Sequence, residues 1–180
     1  MIRFLIVCLF LLVMSLGACS DFSNRDAERV LEGEKVYPLT VEIKMLCNSD
    51  ITVREVIEKN LVEDGFVTAR LQHNKADVGD ALIQFTNQAQ SYLLPTDDTL
   101  KSFHIQRVKV ADEILSGIRN VEISASGDKA VVDYNTEYAN QTPFIRLYKQ
   151  EVEGENKRRT FFTRKDKTWT WDGKIIRMPR

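Results

Sequence analysis

The sequence predicts an α+β fold in which one main helix, spanning about residues 52–64, packs on a bent, mainly antiparallel β-sheet. One segment has the apolar spacing of a helix, and several others alternate apolar and polar residues as strands do. Short turn-like segments separate these strands, as in hairpins. With 180 residues, 43% of them hydrophobic and 28% charged, the chain is long enough to bury a core without disulfides or metals.

The first residues have the pattern of a bacterial export signal. Arg3 supplies a positive charge, and the apolar run from Phe4 to Met14 is eleven residues long. A helix needs about 20 apolar residues to cross a bilayer, so this run is too short for a permanent span and fits the apolar region of a signal peptide. We therefore expect residues 1–18 to be a cleaved signal peptide.

The segment Leu16-Gly17-Ala18-Cys19 resembles the lipobox of bacterial lipoproteins, in which a leucine and two small residues precede a cysteine. The resemblance implies that signal peptidase II cuts before Cys19. It also implies a diacylglyceryl group on the Cys19 sulfur and an acyl chain such as palmitate on its amino group. Three acyl chains would make the attachment to the membrane permanent, whereas one chain holds only marginally. The alternative is an ordinary secretory signal that contains a cysteine, which the agreement of charge, apolar run and cleavage site disfavours.

The residue after Cys19 indicates which membrane holds the anchor. Under the enterobacterial sorting rule, Asp at this position retains a lipoprotein in the inner membrane, so Ser20 implies the outer membrane. Residues 19–35 are polar and are predicted to be the lipidated N-terminus and a flexible tether, with a short helix around Arg25 to Leu31 as an option. Residues 36–180 are predicted to form a single α+β domain in the periplasm.

The predicted domain begins with a strand and a helix. Val36 to Leu46 alternates apolar and polar side chains, and Pro38 places the start of this strand at a sheet edge. The helix begins with the capping-box spacing of Thr52 and Glu55 and ends before Gly65, which suits the left-handed position after a helix. Its apolar face carries Val53, Val56, Ile57 and Leu61.

The following segments are predicted to be mainly strands. Leu100 to Ala111 suits either a loose helix or a strand with one extra residue as a bulge, and its β-branched content favours the strand. This order of a helix followed by long strands is similar to cystatin-like and NTF2-like rolls, a resemblance that implies no site residues. Two hairpins are predicted, formed by Val121 to Ala125 with Ala130 to Tyr138, and by Thr160 to Arg164 with Thr168 to Trp171.

The charge of the whole chain is balanced, with 25 Lys and Arg against 26 Asp and Glu, which excludes a strongly basic nucleic-acid-binding protein. Residues 156–180 differ, because nine of them are Lys or Arg and only Asp166 and Asp172 are acidic. Aromatic residues interleave with these cations, which makes the segment a candidate face for an anionic envelope component or an envelope protein. Strand alternation favours the other interpretation, that the tryptophans close the core while the cations stay solvated. The candidate partner-binding residues are Arg158, Arg159, Lys165, Trp169 and Trp171.

No motif in the sequence indicates catalysis, a metal or a cofactor. The histidines have no second ligand at metal-binding spacing, and the acidic pairs lie in turn-like contexts without the EF-hand pattern. Cys47 is expected to be a buried, unreactive thiol, since no His, Lys or Arg lies directly beside it, and the alternatives are an intermolecular disulfide or a reactive thiol. The isolated residues in question are His73, His104, the pair Asp77 and Asp80, and the pair Asp97 and Asp98.

The sequence therefore predicts a non-catalytic protein, anchored to the outer membrane through lipid at Cys19, that binds a partner or supports assembly in the cell envelope. We expect no cofactor, no metal and no nucleic-acid partner. One alternative is a carrier that holds a small apolar ligand in the pocket of a roll. A second alternative is a hydrolase, which requires His73 or His104 to lie within hydrogen-bond reach of a Ser, a Cys or a carboxylate.

Overall fold

A computed structural model describes residues 22–70, 81–150 and 153–179 of the protein. Contacts between Cα atoms divide the chain into two compact units, each built from separate stretches of sequence. Among the described residues, unit 1 comprises 22–35, 117–135 and 157–179, and unit 2 comprises 36–70, 81–116, 136–150 and 153–156.

The α+β class and the antiparallel sheet are confirmed, and the described strands form two sheets. The strands in chain order are β1 (Leu39–Leu46), β2 (Val67–Ala69), β3 (Ile83–Phe85), β4 (Ile105–Ile123), β5 (Lys129–Ala139), β6 (Asn156–Lys165) and β7 (Thr168–Arg177). The larger sheet has the order β1-β4-β5-β6-β7, and the smaller sheet pairs β2 with β3. β1 is an edge strand, as Pro38 predicts.

The prediction of one main helix is not confirmed, because the described residues contain three α-helices. These are α1 (Asn24–Gly33), α2 (Asp50–Glu58) and α3 (Asp98–Ser102). In the structure α2 replaces the helix predicted at about 52–64. It begins earlier because the Ser49 side chain, not that of Thr52, is the N-cap and accepts a hydrogen bond from the Thr52 N–H at 3.4 Å.

The C-terminal end of α2 also differs from the prediction, for a local reason. Gly65 is left-handed as predicted, with φ of 78°, but α2 ends before it because Asn60 also adopts a left-handed conformation, with φ of 58°. The Leu61 N–H donates to the Val56 carbonyl at 2.9 Å, and the Asn60 N–H donates to the Ile57 carbonyl at 2.9 Å. These two bonds are a Schellman motif, which ends the helix at Glu58.

Helix α1 forms in the segment that was predicted as a tether. Ser23 caps it by accepting a hydrogen bond from the Asp26 N–H at 3.3 Å, and the Asp26 carboxylate accepts the Ser23 N–H at 3.1 Å. Ala27 and Leu31 lie on its buried face. This segment is therefore a packed element of unit 1, longer than the short helix considered from Arg25 to Leu31.

The ambiguous segment from Leu100 to Ala111 contains the end of a helix and the start of a strand. α3 ends at Ser102, and β4 begins at Ile105 after His104, which has a positive φ of 57°. The predicted bulge is present but lies further along the chain. Val41 pairs with Ala111 while Glu42 pairs with Lys109, so Val110 is the extra residue that bends β4 locally.

Unit 2 has an apolar core centred on Phe144, which lies in the 3₁₀ turn Pro143–Leu147. Three aromatic rings surround Phe144, each with its centroid 6.1 Å from that of Phe144, and they belong to Phe66, Phe85 and Tyr92. Unit 1 buries its own apolar side chains, which include Phe22, Leu31, Val132, Tyr134 and Phe162. Within residues 22–70, 81–150 and 153–179, no helix has both the length and the apolar character needed to cross a bilayer.

Candidate functional site

Several predicted positions cannot be placed in the fold. The predicted lipidation site Cys19, the histidine His73 and the pair Asp77 and Asp80 lie outside the described residues. The candidate site is therefore built from the C-terminal hairpin, from the surfaces around β1 and α2, and from the remaining isolated residues.

The C-terminal hairpin is formed by β6 and β7, with its tryptophans on one face. Arg164 pairs with Trp169 and Phe162 pairs with Trp171 in the antiparallel register. Because directly paired residues project on the same side of a sheet, the two tryptophans share a face with buried Phe162. The Trp171 indole N–H donates to the Thr160 hydroxyl at 2.6 Å, which fixes its orientation.

The five predicted partner-binding residues are not gathered into one patch. Arg158 lies on the buried side of β6, where its exposed fraction is 4%, and Trp169 and Trp171 line the same side of the hairpin. Strand alternation places Arg159 and Lys165 on the opposite side. A binding surface on one face of this hairpin therefore includes either the two tryptophans or the pair Arg159 and Lys165, but not both.

Arg159 is already engaged within unit 1. Its guanidinium donates two hydrogen bonds to the carboxylate of Asp133, at 2.6 and 2.8 Å. These bonds, with the positive charge of Arg159, hold the pKa of Asp133 below its ordinary value despite partial burial. This bidentate pair stabilises β5 against β6, and it reduces the capacity of Arg159 to bind an external anion.

A cleft of about 310 Å³ lies on the tryptophan side of the hairpin, and we name it the unit 1 cleft. Trp169 stacks on Phe22 with ring centroids 4.6 Å apart, and the Arg164 guanidinium lies 5.9 Å from the centroid of the Trp169 ring. Its three cations, Arg29, Arg164 and Lys167, were not among the predicted partner-binding residues. The hairpin register, which places Arg164 opposite Trp169, was a usable signal for Arg164. The cleft is lined by Phe22, Asp26, Arg29, Val30, Arg164, Lys167, Thr168 and Trp169.

A larger groove of about 450 Å³ lies in unit 2, and we name it the unit 2 groove. Residues 43–46 of β1, the start of α2 and residues 147–150 line it. Two of its apolar side chains face solvent, since Ile51 is 71% exposed and Leu46 is 40% exposed. An ion pair joins two of its walls, where Lys149 Nζ lies 3.1 Å from Glu55 Oε1.

The unit 2 groove follows the edge of the sheet. Four consecutive residues of β1 line it, although alternate side chains of a strand project to opposite faces, so the groove runs along the strand edge. Among the described strands, β4 is the one neighbour of β1 in the sheet order. An edge strand of this kind presents unpaired N–H and C=O groups that can pair with another chain.

The remaining isolated residues have local structural surroundings. Cys47 is buried, as predicted, and burial raises the pKa of its thiol to about 11. The His104 carbonyl accepts the Cys47 N–H at 2.7 Å, and Asp97 caps α3 by accepting the Leu100 N–H at 2.8 Å. In the part of the chain that the structure describes, no three His, Cys, Asp or Glu residues are placed to hold a metal ion.

No protein-family model, curated protein or solved structure matches this chain. The resemblance to cystatin-like and NTF2-like rolls stays a prediction from element order.

Proposed function

We propose that this chain is a lipid-anchored protein of the bacterial outer membrane that faces the periplasm and binds a partner protein without catalysing a reaction. The lipobox resemblance at Cys19 supports the anchor. The observation that carries the binding role is that two solvent-exposed apolar side chains, Leu46 and Ile51, line a groove at the edge of β1. The partner contributes an extended segment that lies in this groove.

The chemistry of the unit 2 groove favours an extended segment. A strand added to a sheet edge gains main-chain hydrogen bonds, while its alternate side chains enter neighbouring pockets. Covering exposed apolar surface such as that of Ile51 contributes about 25 cal/mol per Å². The pair between Lys149 and Glu55 adds polar groups beside this apolar surface and favours a partner segment with both apolar and polar side chains.

Site-specific photo-cross-linking in cells tests the groove. A photoreactive residue replaces Ile51 in the full chain, and a matched chain carries it at Phe103, whose ring is 61% exposed but does not line the groove. We expect one discrete protein adduct from position 51 that position 103 does not give. Equal adducts from the two positions would count against the groove.

A second pair of variants tests whether the apolar groove itself holds the partner. Leu46 and Leu39 lie on the same strand with similar exposure, 40% and 37%, but Leu39 does not line the groove. Leu46→Glu should remove the adduct formed from position 51, because it places a charge against the apolar segment of the partner. Leu39→Glu should leave that adduct unchanged.

The anchor is tested separately by metabolic labelling with palmitate. The chain should take up label at Cys19, and Cys19→Ala should remove the label and release the protein from the membrane fraction. An unlabelled chain with unchanged fractionation would contradict the anchor and the outer-membrane location together.

The second candidate function is a carrier of a small apolar ligand, and the size of the unit 2 groove favours it. Its volume of about 450 Å³ lies in the range of small-molecule sites, roughly 300–1,000 Å³. A neutral fluorescent probe such as N-phenylnaphthylamine would then bind one to one, and Leu46→Glu would abolish binding. Saturable probe binding with no protein adduct from position 51 would favour the carrier.

A further inference from the structure

The unit 1 cleft lies close in sequence to the proposed lipid anchor. Phe22 lines the cleft, and Cys19 precedes it by three residues. Since consecutive Cα atoms are about 3.8 Å apart, the Cα atoms of these two residues are separated by at most about 11 Å. Lipid attached to Cys19 therefore holds this cleft near the bilayer surface.

Phe22 is fixed within unit 1. Its ring is buried and contacts Phe162 and Trp169, with centroid separations of 5.0 and 4.6 Å. The next residue, Ser23, is already the N-cap of α1. The described chain thus enters a packed unit at Phe22, so the distance between the cleft and the proposed anchor is limited by the three residues that separate Phe22 from Cys19.

The charge of the cleft suits an anionic surface. Three cations line it against the single acid Asp26, whose carboxylate lies 3.2 Å from the Arg29 guanidinium. Within the described residues, Arg164 and Lys167 form no ion pair, and Lys167 is exposed. Two positive charges beside a half-buried tryptophan are therefore available to an external anion.

We infer that the unit 1 cleft docks on the anionic phospholipid surface that holds the anchor, with Arg164 and Lys167 on lipid phosphates and Trp169 at the interface. This inference rests on the proposed anchor at Cys19. Tryptophan is enriched at the headgroup level of membranes because its ring is apolar and its N–H is polar. Each Lys or Arg close to an anionic bilayer strengthens binding about fivefold.

The test uses the mature chain from residue 19 onward with Cys19→Ala, so that no acyl chain contributes to binding. Its co-sedimentation is measured with vesicles of phosphatidylcholine that contain phosphatidylglycerol and with vesicles of phosphatidylcholine alone. We expect binding to the anionic vesicles alone, weakened by salt. Arg164→Gln with Lys167→Gln should reduce the affinity about 25-fold, since each change removes one cation.

A matched double variant distinguishes vesicle binding by the unit 1 cleft from binding that depends only on the net charge of the protein. Arg54→Gln with Lys59→Gln makes the same change in charge on exposed residues of unit 2 and should leave vesicle binding unchanged. An equal loss in the two double variants, or equal binding to neutral vesicles, would overturn the inference. Competition by inorganic phosphate at matched ionic strength would also overturn it, because the cleft would then take a soluble anion.

The vesicle experiment and palmitate labelling can fail independently. If the chain takes up palmitate but its Cys19→Ala form does not bind anionic vesicles, the anchor is supported and the docking surface is contradicted. If the chain takes up no palmitate but its Cys19→Ala form binds anionic vesicles through Arg164 and Lys167, the anchor is contradicted and the docking surface is supported.

Discussion

Lys109 and Asp112 lie three residues apart on β4, and their side chains meet, with Lys109 Nζ 2.7 Å from Asp112 Oδ1. In a regular strand, residues three apart project to opposite faces. The bulge at Val110 shifts the alternation by one residue, which brings the two side chains to the same face. Asn140 Nδ2 donates a further hydrogen bond to the buried carboxylate at 3.1 Å.

Loss of this buried carboxylate should destabilise the protein. Burial raises the pKa of Asp112, but the hydrogen bonds from Lys109 and Asn140 outweigh it, so the pKa lies below its ordinary value. Asp112→Ala leaves both donors without their partner and should lower the free energy of unfolding by about 1–3 kcal/mol, measured by urea denaturation. Asp98→Ala is the control, since the Asp98–Lys101 pair has the same spacing but lies at the surface, with Asp98 99% exposed, and should contribute nothing measurable.

Acid should weaken the protein through the pair formed by Asp133 and Arg159. The pKa of Asp133 is lower in the folded chain than its ordinary value of 3.8, so its stabilising contribution is fully present above that value. The contribution is lost as the pH falls through the lowered, folded pKa. Urea midpoints at pH 7 and about pH 3 should therefore differ less for Asp133→Asn than for the unsubstituted chain. An identical acid dependence in the two proteins would contradict this assignment.

Cys47 should be unreactive in the folded protein. With the mature Cys19→Ala chain, in which Cys47 is the sole thiol, a disulfide reagent should label slowly in buffer and rapidly in urea. Burial raises the pKa of this thiol from 9.0 to about 11, so its contribution to stability is present below pH 9 and is lost as the pH rises to about 11. The stability of the Cys47→Ala variant should therefore fall less than that of the unsubstituted chain as the pH rises from 9 to about 11. Rapid labelling without denaturant would refute the buried placement.

The stacking of Phe22 on Trp169 should stabilise unit 1. Phe22→Ala removes a buried ring and should lower the free energy of unfolding by about 3–5 kcal/mol. The tryptophan fluorescence of the folded variant should shift to longer wavelength, because water reaches the Trp169 ring. Phe103→Ala, which removes a largely exposed ring, should change neither quantity.

The hairpins and the edge position of β1 were predictable because each depends on residues close in sequence. Pro38 indicates an edge strand, and the turns between β4 and β5 and between β6 and β7 fall where polar, Gly-containing or charged segments interrupt the alternation. The end of α2 was not predictable by the same reasoning. Asn60 adopts the left-handed conformation without glycine, so α2 ends before the turns that lead to Gly65, which is left-handed as predicted.

The candidate surfaces depend on contacts that local patterns do not contain. Arg29 joins Arg164 in the unit 1 cleft because α1 packs against β7, whose Trp169 pairs with Arg164 on β6. Nothing in the sequence near either arginine indicates that they line one cleft. Arg158 is a case in which a local pattern was misleading. A run of cations suggests a solvated face, but strand alternation takes Arg158 to the buried side of β6 and leaves Arg159 to pair with Asp133.

The contact between Phe22 and Trp169 has a consequence for the proposed export of the chain. In the export that we propose, Phe22 reaches the periplasm early, whereas Trp169 follows only after most of the chain has crossed the inner membrane. Until then the Phe22 ring lacks its stacking partner and stays accessible to water, chaperones and proteases. Unit 1 would therefore be completed late during this export. A chain interrupted before β7 would expose an uncovered aromatic ring three residues from the proposed anchor, which would distinguish an incomplete chain from a complete one.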